Sequence, residues 1–155
     1  MVALSDLDEK GGGVEMEEVI RLEDGHKVYK IGKTEIHALQ GVNMSVARGE
    51  MVAVVGPSGS GKTTLLNIIG TLDKPTKGKV LIDNVDITKL SDKELTKLRR
   101  EKIGFVFQFF NLIPSLTVLE NIELPLALAG IDKKERRRRA YKLLDYFNLS
   151  SLANR

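Results

Sequence analysis

The sequence predicts an α/β fold, and three observations predict it. From about residue 50 onward, short apolar runs alternate with segments of helical period. Met51–Val55 is a five-residue apolar run containing three valines, short enough for a buried strand. It runs directly into the glycine-rich octapeptide Gly56–Thr63, after which the apolar residues take up a helical spacing.

Met1–Val14 is polar, contains Gly11-Gly12-Gly13 and shows no apolar period, so residues 1–14 are expected to form a flexible acidic tail. Val19–Leu22 can begin a strand. Ile36–Val46 alternates imperfectly around Gly41, as one or two strands with a turn or bulge would. Arg48-Gly49-Glu50 reads as a turn. Beyond Gly61, Leu65, Leu66, Ile68, Ile69 and Leu72 cover more than one helical face, the pattern of a buried helix. Pro75 and Gly78 are expected to end it. Lys79–Ile82 and Ile103–Phe107 are short strand candidates.

Three later helices are announced by capping boxes, in which an N-cap oxygen and a Glu three residues on satisfy orphan backbone N–H groups. They are Ser91 with Glu94, Thr117 with Glu120, and Asp132 with Glu135. Pro125 is expected to end or kink the second. The third carries Ala140, Leu143, Leu144 and Phe147 at the spacing of one apolar stripe.

A chain of 155 residues that is 42% hydrophobic can build one ordinary domain. The absence of cysteine excludes disulfides and thiolate metal sites. No stretch approaches the ~18 apolar residues of a membrane span. Met1–Lys10 lacks the pattern of a secretory signal, and a cytoplasmic protein is expected. The net charge of +3 is uneven: residues 1–24 hold eight acids and two bases, leaving 22 bases and 13 acids in the remainder. A basic body suits phosphate ligands, nucleic acid or an anionic membrane surface, and lysines that simply solvate helices give the same balance. The four consecutive arginines of Glu135–Arg139 spread around a helix axis and read as a solvated face rather than a nucleic-acid or lipid contact. No nucleic-acid partner is expected.

Gly56-Pro57-Ser58-Gly59-Ser60-Gly61-Lys62-Thr63 fits G-x-x-x-x-G-K-[ST] at every fixed position. A triphosphate is a dense anion. Glycines let the backbone curl so that successive N–H groups face its oxygens, and the following helix adds its positive N-terminal end. Lys62 is expected to reach the β- and γ-phosphates and the Thr63 hydroxyl to ligate Mg²⁺. A GTPase would also need Asp-x-x-Gly after the loop and Asn-Lys-x-Asp. The only Asp-x-x-Gly is Asp8–Gly11, upstream, and the second motif does not occur.

Gly56–Thr64 with Leu65-Leu66-Asn67-Ile68-Ile69-Gly70 resembles the ATP-binding subunits of ABC transporters. So does Ile103-Gly104-Phe105-Val106-Phe107-Gln108 followed by Asn111-Leu112-Ile113-Pro114. Leu119-Glu120-Asn121 and Leu124-Pro125-Leu126 narrow the likeness to the lipoprotein-releasing and macrolide-exporting ATPases. The similarity runs from about residue 17 to 155. It implies a P-loop NTPase core with an N-terminal antiparallel β-subdomain over residues 15–108. The start of an α-helical subdomain follows over 109–155, with the C-terminal half of the fold absent. It also implies ATP and Mg²⁺ as ligands, with Gly56, Pro57, Ser58, Gly59, Ser60, Gly61, Lys62, Thr63 and Thr64 around the phosphates. Tyr29, followed by the Lys30–Ile36 loop, takes the place of the aromatic that stacks on adenine. A half-buried strand-end tyrosine is the plainer reading. Gln108 takes that of the glutamine that approaches Mg²⁺ and the attacking water. Phe109, Phe110, Leu112 and Ile113 fall near the groove for the permease's coupling helix, or are core. In full-length form the resemblance implies a homodimer of ATPase domains on membrane permease subunits, at the inner face of the cell membrane.

Parts of the family pattern do not occur. The signature Leu-Ser-Gly-Gly-Gln is absent, and Leu149-Ser150-Ser151 lacks its glycines. The Walker B strand ending in Asp-Glu is absent. Val80-Leu81-Ile82-Asp83 has three apolar residues and is followed by Asn84. His26 and His37 precede the phosphate loop, where neither can be the switch histidine. The chain is therefore expected to bind ATP without turning it over, either as the front portion of a transporter ATPase or as a non-catalytic nucleotide-binding or assembly fragment. An exposed apolar sheet edge and marginal stability are expected to follow.

Overall fold

The computed structural model describes residues 2–3 and 17–155. The expected tail, apart from Val2–Ala3, lies outside the described residues. The chain divides into two compact units, Met1–Gly104 and Phe105–Arg155.

The first unit is built on a long hairpin. Strand β2 (Glu18–Ile31) pairs antiparallel with β3 (Thr34–Ala47), from Glu18 opposite Ala47 to Ile31 opposite Thr34. The connection is a tight turn at Gly32-Lys33, so the expected Lys30–Ile36 loop is a hairpin end instead. The ladder shifts register near Gly25 and Lys27. β1 (Val2–Ala3) pairs with β4 (Val54–Val55), and the larger sheet has the order β3-β2-β5-β6, with β5 at Lys77–Ile82 and β6 at Val85–Asp86. Its pairings are all antiparallel. Helix α1 (Lys62–Ile69) and helix α2 (Asp92–Lys102) supply Leu65, Ile68 and Leu95 to one core. That core also holds Leu22 and Leu39 of the hairpin, Val80 and Ile82 of β5, and Ile87. Gly78, at φ +95°, lets β5 pass β2 closely, since a Cβ there would lie 2.2 Å from the Asp24 carbonyl oxygen.

The expected strand at Met51–Val55 shrinks to Val54–Val55, with Met51 98% exposed. An apolar run becomes a strand only where a neighbour completes its ladder, and among the described residues Met51–Ala53 has none. Helix α1 stops before Pro75: Gly70 caps it and Thr71 turns to φ +58°, leaving Leu72 outside. The capping box predicted at Ser91 is complete, with Ser91 Oγ accepting from Glu94 N and Glu94 accepting from Ser91 N.

The second unit holds α3 (Val118–Leu128) and α4 (Lys133–Tyr146). Leu119, Ala140, Leu144 and Ala153 form its core. Thr117 and Glu120 make the second complete capping box. Asp132 caps α4 through Lys134 N and Glu135 N, but Glu135 turns to Arg138 and Arg139 instead of closing a box. Pro125 does not end α3, which continues to Leu128. Of the predicted stripe, Ala140 and Leu144 are buried, whereas Leu143 and Phe147 are exposed. Inside the helix pair, Glu123 is buried beside Arg136, with Nε 3.7 Å from Oε2 and no hydrogen-bond partner for Oε1.

Ile103–Phe107 forms no strand. Phe105 stacks on Phe107 with centroids 5.3 Å apart, while Val106 is fully exposed. The side chains alternate as in a strand, but no described segment pairs with the backbone. Phe109, Phe110, Leu112 and Ile113 are exposed rather than core.

Candidate functional site

The phosphate-loop motif spans the approach from β4 into α1. Gly61 stands at the helix N-cap with φ +88° and offers no side-chain cap, and no acid occupies the first turn. The first N–H groups of an α-helix have no intrahelical acceptor, so this end presents donors and a positive dipole. Gly61 is also sterically required. A Cβ would lie 2.4 Å from the Ala38 carbonyl oxygen, so the loop rests directly on β3. The Lys62 ammonium folds back into the loop, donating to Gly56 O at 2.8 Å and Pro57 O at 2.7 Å and lying 3.4 Å from Ser60 Oγ. Ser60 N donates to Pro57 O, closing the turn. Thr63 and Thr64 stand on the first turn of α1, where Thr63 is exposed.

Tyr29 lies on β2 opposite Ile36. Ala38, the residue against Gly61, follows two positions along β3, a rise of about 7 Å. One hairpin therefore carries the tyrosine and abuts the phosphate loop. Tyr29 is half-buried and its hydroxyl donates to Asp73 Oδ2 at 2.9 Å. Asp73 Oδ1 accepts from Lys27 Nζ at 2.6 Å and from Lys74 N at 2.7 Å. Lys27 Nζ also donates to the Lys74 carbonyl at 2.8 Å and sits 5.0 Å from the Tyr29 ring centroid. Burial works against ionisation of Asp73, yet the bonds from Lys27 and Tyr29 hold its carboxyl below the ordinary range. Sequence reasoning missed Lys27 and Asp73. The spacing of Lys27 and Tyr29, two apart on one strand face, was the available signal.

Gln108 belongs to the second unit, exposed at a bend after Phe107 rather than at a strand end. Asp83, the acid of the Walker B look-alike, opens the turn after the antiparallel strand β5 and is paired with Lys102 at 2.9 Å and Arg48 at 3.3 Å. Those cations occupy it and hold its carboxyl below the ordinary range, Lys102 contributing most. Among the described residues no group of three or more His, Asp or Glu could hold a metal ion. A magnesium ion that keeps several waters and phosphate oxygens needs only one or two protein oxygens, which the Thr63 hydroxyl fits. No described helix is long and apolar enough to cross a membrane.

Residues 39–155 match the family model for ABC transporters. The chain belongs to the ABC transporter family. An uncharacterized ABC transporter ATP-binding protein of Thermotoga maritima is 52% identical over 134 residues, covering 86% of this chain and 57% of that protein. A macrolide export ATP-binding/permease protein of Shewanella is 48% identical over 124 residues, 80% of this chain and 19% of its own length. Among solved structures, the dimeric ATP-binding cassette of Methanocaldococcus jannaschii in a post-hydrolysis state, bound to ADP and Pi, superposes with a TM-score of 0.79 at 53% identity. It is covered to 60%, and this chain to 87%. The fold is that of the ABC ATPase, and the antiparallel sheet with its helices corresponds to the N-terminal part of it. The chain spans about 57% of the length of the first curated relatives it matches.

Proposed function

We propose that this chain is the phosphate-loop portion of a transporter ATPase. Gly56–Thr64 holds the phosphates of ATP·Mg²⁺, with Lys62 exchanging the Gly56 and Pro57 carbonyls for phosphate oxygens. Thr63 supplies a magnesium ligand, Tyr29 a platform for the base, and Gln108 a second polar group toward the metal and water. The whole protein, by this reading, forms a homodimer on a membrane permease at the cytoplasmic face and couples hydrolysis to export or extraction of a substrate. The observation that carries the reading is the uncapped start of α1, its glycine N-cap seated on Ala38 and its lysine inside the loop. A site that must approach a polyanion closely needs bare backbone, and this one has it.

The chain alone lacks the Walker B carboxylates and the signature segment, so it is expected to bind ATP without turnover. Calorimetric titration with ATP·Mg²⁺ tests the binding. Lys62→Ala is expected to weaken it by tenfold or more, on the order of one charge-assisted hydrogen bond or two. Equal affinity of the variant would remove the loop from the site. Steady-state phosphate release by the purified chain would overturn the absence of turnover.

A further inference from the structure

We propose that Asp73, together with Lys27, is a positioning residue that fixes the Tyr29 ring as a base platform at a set distance from the phosphate loop. The inference rests on the reading of Tyr29 as that platform. Asp73 works as a fork. One carboxylate oxygen takes the tyrosine hydroxyl, and the other takes the Lys27 ammonium and its own neighbour's N–H. The fork holds Tyr29 and Lys27 together, and both leave the same strand face. Lys27 then lies over the ring, 5.0 Å from its centroid, so one face is covered by a cation and a base would take the other.

The anchoring is redundant. Lys27 also reaches the Lys74 carbonyl, and the Lys74 ammonium donates to Leu90 O at 2.6 Å. Thr76 Oγ1 accepts from Val28 N at 3.0 Å, between the two functional strand residues. The segment after α1 is thus stitched to β2 at Lys27, Val28 and Tyr29. A tyrosine needed only to fill the end of a strand would be served by its ring; a hydroxyl tied to a charged fork also fixes where the ring's long axis points, and Lys27 over one face favours one plane. The same hairpin abuts Gly61 through Ala38, which ties the plane to the phosphate site.

The ratio of affinities for ATP·Mg²⁺ and tripolyphosphate·Mg²⁺ tests this, because only the first has a base. Asp73→Ala and Tyr29→Phe are expected to weaken ATP about three- to tenfold, the worth of one hydrogen bond, and to leave tripolyphosphate within about twofold. Asp73→Asn, which keeps an acceptor for the hydroxyl, is expected to recover most of the loss. In a Tyr29→Ala background Asp73→Ala is expected to add nothing. A ratio unmoved by Tyr29→Ala would overturn the platform reading and this inference with it. A ratio moved by Tyr29→Ala but not by Asp73→Ala would overturn the positioning role alone. Equal losses for both ligands in Asp73→Asn would also overturn it, marking Asp73 as a support of the fold.

Discussion

Replacing Gly61 by alanine tests whether the phosphate loop is held by its seat on β3. Two costs can be read from the geometry. The residue has φ +88°, where an L side chain costs about 1–2 kcal/mol. Its Cβ would meet the Ala38 carbonyl at 2.4 Å, whereas ordinary contact begins at 3.4 Å, so backbone must yield by about 1 Å. Overpacking of that kind costs about 1–3 kcal/mol. Gly61→Ala is therefore expected to destabilise the first unit by about 2–5 kcal/mol. Gly59 is the internal control. It has φ +78° with nothing within 4 Å of a Cβ, so Gly59→Ala pays the backbone cost alone, about 1–2 kcal/mol. Equilibrium urea unfolding followed by far-ultraviolet circular dichroism measures both. Agreement of the two variants within about 0.5 kcal/mol would refute the seat on Ala38.

Leu65→Ala, at a position 1% exposed between α1 and the sheet, is expected to cost about 2–5 kcal/mol in the same urea experiment. Glu123→Ala is expected to destabilise the α3–α4 pair by about 1–3 kcal/mol, because it strands Arg136, and adding Arg136→Met is expected to restore part of the loss. Glu135 is held at about 2, below the ordinary 4.5, by its hydrogen bonds from Arg138 and Arg139. A depressed carboxylate stabilises above its unfolded value, so this contribution is complete above 4.5 and fades as pH falls through about 2. An acid titration of the Glu135 carboxyl by NMR checks it, and a midpoint at the ordinary value would contradict the ion pairs.

The phosphate loop was legible because its motif fixes residue types at fixed spacings, and β4 does lead through it into α1. Capping boxes were equally legible, since Ser91 and Thr117 need only a Glu three residues away. Strand assignments fared worse at Met51–Val55 and Ile103–Phe107. Apolar content marks a segment as able to pair, but pairing is decided by a neighbour that may lie anywhere in the chain. The long hairpin was only partly visible, because register shifts near Gly25 break the alternation that would have announced it. Asp73 could not be read at all from local pattern, because its partners Lys27 and Tyr29 precede it by 46 and 44 residues.

That separation has a consequence for folding. The Lys27–Asp73 bond closes a loop of 46 residues, and the whole of Gly56–Thr64 lies inside it. Bringing such ends together costs about 3 kcal/mol of chain entropy. A nucleotide spanning Tyr29 and the phosphate loop would tie the same stretch of chain at an interior point, after part of that entropy had already been surrendered. Latch and ligand would then favour one another, and protease resistance of the segment between β3 and β5 should rise with ATP only while the latch is intact.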